Sequence, residues 1–152
     1  MYVDESRIDR YLTRTHCRAL RGQSVIGEVS GKRYARQSFV AGKVGQKIIA
    51  PMTYEGTCHS AFFEAWVEKI LVPELSPGQV IIMDNATFHK SCRTRTLIEG
   101  AGCTLLFLPP YSPDLNPIEQ FWAWFKGQIR EIIHTCKTLQ DAINQIFLSC
   151  NA

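Results

Sequence analysis

Two carboxylates stand in unusually dense surroundings. Asp84 lies in MDNATFHKS, at the end of the apolar run 80–83, and Glu119 lies in FLPPYSPDLNPIEQFW; thirty-four residues separate them. An aspartate closing an apolar run and a glutamate opening an amphipathic helix can converge at one end of a sheet. There they could hold divalent metal for chemistry at a phosphodiester. A third acid, Asp4 in YVDES, ends another short apolar stretch. Two-metal phosphoryl chemistry needs several carboxylates together, because each ion takes one or two of them and fills its other positions with water and phosphate oxygens.

Each acid also has a plainer explanation. Asp4 could be a turn residue, Asp84 followed by Asn85 could close an Asx turn, and Glu119 could be the return arm of a helix cap anchored at Asn116. His89 and Lys90 follow Asp84 closely enough to touch a phosphate, although a loop histidine is more often a local hydrogen-bonding group. Asp114 reads as a turn residue in SPDLNP. Glu5, next to Asp4, would face the other side of a continuing strand and is set aside.

The elements that must position these groups can be traced from the pattern. Residues 34–41 and 46–53 are β-like runs joined by GKVG, a hairpin signal, and Pro51 in the second run puts that strand at a sheet edge. From Phe62 the apolar spacing becomes helical through Leu71, stopped by Pro73. The run 80–83 reads as a strand buried on both faces, 91–100 as a helix carrying Arg93 and Arg95, and 104–108 as the next buried strand. PPYSPDLNP is then a rigid loop. Asn116 is a suitable N-cap, Pro117 a suitable first helical residue, and Ile118, Phe121, Trp122, Phe125, Ile129, Ile132 and Ile133 form one apolar stripe, with Trp124 off it. The order predicts an α/β layer on a mixed sheet, antiparallel at first and parallel later.

The 152 residues fit one domain, and no apolar run approaches the roughly 18 residues of a membrane span. A signal peptide is not evident, so a cytoplasmic location is expected. The net charge of +3 conceals an asymmetry: residues 1–50 carry +6 and the remainder −3. A basic surface beside an acid cluster suits an enzyme that grips a phosphate backbone and needs metal at one spot. Six cysteines, Cys17, Cys58, Cys92, Cys103, Cys136 and Cys150, show no CxxC and no regular spacing, and are read as free thiols rather than zinc ligands.

With these residues placed, the chain resembles the catalytic domain of a bacterial insertion-sequence transposase of the mariner-like DDE superfamily. YVDES is similar to the first acid motif of that family, MDNATFHKS to the second and LPPYSPDLNPIEQFWAWFK to the third, in order and with the mariner-like gap. The resemblance implies a ribonuclease H-like fold over 1–152, with a five-stranded sheet of order 3-2-1-4-5 flanked by helices. It also implies that Asp4, Asp84 and Glu119 bind two Mg2+ ions, replaceable by Mn2+, for strand cleavage and 3′-hydroxyl strand transfer. The expected partners are DNA at transposon ends and target, contacted by His89, Lys90, Arg93 and Lys126, and a second copy in a homodimer on DNA. The expected setting is the bacterial cytoplasm, on the nucleoid, with no membrane.

Family members usually carry an upstream helix-turn-helix region, whereas only Met1, Tyr2 and Val3 precede Asp4. An upstream DNA-binding segment or partner chain is therefore expected to choose the DNA, and the Asp4 strand is expected to have a short, frayed ladder. A split gene joined by frameshifting would account for the missing region. The alternatives are a truncated, inactive relic that binds DNA or inhibits full-length transposase, and another ribonuclease H-like nuclease.

Overall fold

The computed structural model describes residues 1–9, 36–110 and 112–150; Cys17, the start of the 34–41 run and Tyr111 lie outside them. Strand β1 (Tyr2–Asp9) leads into a hairpin of β2 (Arg36–Val44) and β3 (Lys47–Glu55). The hairpin turns at Gly45, whose φ of +57° is the left-handed value that a tight two-residue turn needs at its first central position. The expected strands and hairpin are thus present, but β2 runs on through GKV and the turn is shorter than GKVG. Helix α1 (Ser60–Trp66) continues through a π-turn at Val67–Leu71 and ends in a 3₁₀ turn, Val72–Glu74, that contains Pro73. Strand β4 (Val80–Met83), helix α2 (Cys92–Gly100), strand β5 (Thr104–Phe107) and helices α3 (Pro117–Ile132) and α4 (Leu139–Cys150) complete the order. Helix α4 has no counterpart in the sequence reading.

The strands form one mixed sheet in the order β3-β2-β1-β4-β5, with β1, β2 and β3 antiparallel and β1, β4 and β5 parallel. Pro51 therefore sits on an edge strand, where its missing N–H costs no ladder bond. Next to it Ala50 adopts φ +54°, and the β2–β3 register slips there, so β3 carries a bulge. The buried indole of Trp66 donates to the Ala50 carbonyl at 3.1 Å, pinning the bulge to α1.

The expectation of a short, frayed β1 is corrected. All eight of its residues pair with β2, and only its parallel pairing with β4 is short, Tyr2 with Ile82 and Val3 with Met83. The Ile82 N–H also donates to the Met1 carbonyl at 2.8 Å. The expectations that 80–83 is buried on both faces and that 104–108 is a buried strand are corrected as well, since Val80 is 39% and Leu106 50% exposed. Each of these strands packs one face on a core: Ile81 and Met83 of β4, and Leu105 of β5.

Two cores flank the sheet. On one face Phe39, Ala41, Ile48 and Ile8 meet Ile118, Trp122, Phe125 and Ile129 of α3 and Ile143 and Phe147 of α4, with the Phe39 and Trp122 rings 5.0 Å apart. On the other, Val3, Val40 and Ala50 meet Phe63, Trp66, Val67 and Leu71 from the α1 segment and Ile98 of α2. The result is a three-layer α/β/α sandwich whose two helical layers grip the same central strands. Among the described residues no helix is long and apolar enough to cross a membrane.

Candidate active site

Parallel pairing of β1 with β4 sets the first two acids. Val3 is opposite Met83, so the next residue on each strand brings Asp4 beside Asp84. Glu119 arrives from the other direction, in the first turn of α3, where its N–H donates to the Asn116 carbonyl at 3.0 Å. All three acids line one cleft of about 470 Å³, whose far wall is built by Pro109, Pro110, Ser112 and Pro113. Proline fixes φ and removes freedom from this wall. The sequence thus brings Asp4, Asp84 and Glu119 to a single cavity from three separate elements.

Asp84 is both a cleft residue and the Asx turn of its plainer explanation. Its Oδ1 accepts from the Ala86 N–H at 3.0 Å. The same oxygen lies 2.6 Å from His89 Nδ1, off the line of the ring N–H, so that contact is an ion pair rather than a well-aligned hydrogen bond. On its other side His89 Nε2 lies 2.8 Å from Glu5 Oε1. The imidazole is fully buried, with the Phe63 and Phe88 ring centroids both 4.4 Å away.

The expected contact of His89 with DNA is therefore corrected: the ring has no exposed surface and is held inside the protein by two carboxylates. Glu5, set aside because it faces away from Asp4, does face away and is the acid that reaches His89. No local spacing signals that contact, which joins residues 84 positions apart.

Electrostatics follow from this crowding. Burial, and then the charges of Glu5, Glu119 and Asp84, push the Asp4 carboxyl up to about 7. The close contact with His89 holds Asp84 below the usual carboxylate range against the opposing effect of burial, helped by the Ala86 N–H. Burial alone would lower His89, but Asp84 and Glu5 outweigh it and raise the imidazole to about 9, so it is charged at neutral pH. Lys126, further along α3, is lowered by burial, while the Glu119 and Asp4 charges act to raise it.

The donor set suits a hard, oxygen-seeking cation. Asp4 is buried and its Oδ2 has no hydrogen-bond partner among the described residues; Asn116 Oδ1 is orphaned in the same way. Asn116 was expected to cap α3 through its side chain, yet only its carbonyl does so, and the residue lines the cleft. Among the described residues no three His, Cys, Asp or Glu side chains close to ligating distance. Asp84 Oδ1 is instead 2.6 Å from His89 Nδ1.

Of the remaining expected DNA contacts, Lys90 is exposed, and Arg93 is exposed but bonded to Glu68 at 2.8 Å. Lys126 is half-buried at a neighbouring cavity that also includes Arg7 and Arg36. The five described cysteines are free thiols.

A family model described as DDE superfamily endonuclease matches residues 1–144. The chain belongs to the DDE endonuclease superfamily. This DDE chain shares its fold with the Mos1 strand transfer complex, at TM-score 0.65 and 16% identity, covering 98% of this chain and 52% of that one. It is similar in the same sense to the catalytic core domain of BIV integrase, at TM-score 0.54 and 13% identity, covering 76% and 74% of the two chains. The sheet order and these neighbours make it ribonuclease H-like, as the resemblance implied. An uncharacterized protein of Sinorhizobium fredii is 30% identical over 76 residues, 43% of this chain and 54% of the relative. The DDE chain thus spans about half the length of the Mos1 and Sinorhizobium proteins it matches.

Proposed function

We propose that this DDE chain is the catalytic domain of a DNA transposase, in which Asp4, Asp84 and Glu119 hold two divalent cations. The observation that carries the reading is the meeting of these acids, one on β1, one just past the adjacent parallel β4 and one from the mouth of α3, in one cleft of a DDE-family chain. A matching solved structure is the Mos1 mariner paired end complex with Mn, which supports Mn2+ as a substitute for Mg2+. Bound there, such cations would lower the pKa of an attacking hydroxyl and stabilise the leaving oxygen.

The chain's own groups have distinct tasks. Asp84 is held by His89 and Ala86 through one oxygen, leaving the other for the cleft. Asp4 would supply a buried carboxylate whose Oδ2, without a hydrogen-bond partner among the described residues, is open to a cation. The proline wall on the opposite side of the cleft would keep the strand to be cut against the acids. Hydrolytic nicking at a transposon end followed by attack of the 3′-hydroxyl on target DNA would use this one site twice, both as in-line displacements.

Lys90, Arg93 and Lys126 would meet the phosphate backbone, with Arg93 first leaving Glu68. Pairing of two ends would take two copies on DNA, and an upstream segment or partner chain would read the terminal repeat. A bacterial cytoplasmic location, on the nucleoid, follows from such a substrate.

Nicking of supercoiled plasmid by the purified chain in Mn2+ tests the reading. Asp4→Asn, Asp84→Asn and Glu119→Gln should each lower the rate at least about 100-fold, because even outer partners of metal ligands cost 10–100-fold. Equal nicking by folded Asp84→Asn would overturn it.

A further inference from the structure

Strand β1 carries two neighbouring acids on opposite faces of the sheet. Asp4 turns to the cleft under α3, and Glu5 turns to the layer of α1 and α2, where its carboxylate meets His89. Both nitrogens of the imidazole are engaged, one by Glu5 at 2.8 Å and the other by Asp84 at 2.6 Å, and the ring is boxed by Phe63 and Phe88. Packing against two rings and a carboxylate at each nitrogen restrict this side chain.

We infer that Glu5 and His89 are positioning residues for the acid site: Glu5 holds His89, and His89 holds Asp84 with Oδ1 turned inwards and its second oxygen presented to a cation in the cleft. The inference rests on the reading of Asp84 as a metal ligand. A carboxylate on the loop that follows a four-residue strand is free to turn about two side-chain torsions. The Ala86 N–H fixes one point of it, and His89 adds a second direction of pull on the same oxygen. Ligands held in this way bind metal without first losing side-chain freedom, which is why such outer partners affect affinity.

A single backbone segment therefore sets two acids at once. Asp4 is placed directly, and Asp84 is placed through the side chain next to Asp4 in sequence. A slip of β1 by one residue would exchange the two faces and lose both.

The test compares wild type, Glu5→Ala and Glu5→Gln, each checked for folding by circular dichroism. It uses the Asp84 side-chain carboxyl 13C resonance in metal-free protein and Mn2+ affinity by calorimetry. In Glu5→Ala the resonance should shift or broaden and the Mn2+ affinity should fall about 10-fold. Glu5→Gln, whose amide oxygen still accepts from Nε2, should restore both to near wild type, which a role for Glu5 in bulk stability alone would not require.

An unmoved Asp84 resonance in Glu5→Ala overturns the inference whatever the metal does, and so does a moved resonance with unchanged Mn2+ affinity. A resonance that moves in Glu5→Ala while the wild type itself binds no Mn2+ leaves the positioning intact and overturns the metal reading instead. Should Glu5→Ala fail to fold, Glu5→Val takes its place, since a β-branched residue suits the strand.

Discussion

Burial and the charges of Glu5, Glu119 and Asp84 raise the Asp4 carboxyl from 3.8 to about 7, so the folded chain keeps a proton there that the unfolded chain has released. Between those values the native state binds more protons than the unfolded state, and stability from this group falls as pH rises, levelling off above about 7. His89 adds a loss of the same sign: raised from 6.5 to about 9, it contributes fully below 6.5 and ceases to contribute as pH passes 9. Asp84, held low, acts oppositely and only at the acid end, where protonation removes its contribution. Urea unfolding of metal-free Asp4→Asn should therefore show it more stable than wild type at pH 8, by on the order of 2 kcal/mol, with the gap closing towards pH 4. A variant no more stable than wild type at pH 8 would show that Asp4 is not strained. Asp84 and Glu119 were legible because dense motifs surround them, and Asp4 joined them through the resemblance of YVDES. The tie from Glu5 to His89 was not, because strand alternation tells which face a side chain takes and nothing about what waits there.

Among the elements, α4 shows a signal present in the sequence but unread. Thr138 and Asp141 form a reciprocal cap, each side chain accepting from the other's backbone N–H at 3.0 Å, and Leu139, Ala142, Ile143, Ile146 and Phe147 make its buried stripe. Thr138→Ala should cost about 1 kcal/mol in chemical denaturation, since one of these caps is lost. Strands β4 and β5 were placed correctly but credited with too much burial, because an unbroken apolar run of four does not say how many faces a helix will cover. The bulge in β3 lay beyond reach for a different reason. Pro51 announced an edge, but Ala50 is an unusual residue for a left-handed conformation and gives no warning of one. Ala50→Gly should stabilise the chain by up to about 1 kcal/mol in thermal unfolding, as glycine has no Cβ to strain there. Trp66→Phe should cost about 1–3 kcal/mol by orphaning the Ala50 carbonyl.

At the scale of the whole molecule, the sheet order and the helix on each side were legible from motif order and its resemblance, and the family match over residues 1–144 agrees. What no reading of one chain supplies is which surfaces the basic excess of residues 1–50 occupies, because charge counts carry no direction. That excess still has a measurable consequence. DNA binding by the chain should weaken at least about tenfold between 50 and 200 mM salt, measured by fluorescence anisotropy on a duplex of any sequence. Salt-independent binding would mean that phosphate contacts do not dominate.

The pinned bulge on β3 also bears on how copies of this protein can associate. An open sheet edge is ordinarily a template on which another chain can lay a strand, the route to runaway fibre growth. Here the outer row of β3 is interrupted by Pro51, which has no N–H to offer, and twisted at Ala50, whose carbonyl is already taken by Trp66. The opposite margin, β5, is only four residues long. Copies crowded together on one DNA molecule would thus find no long, regular ladder to extend, and could meet through their helices or their shared nucleic acid without zipping their sheets into aggregate.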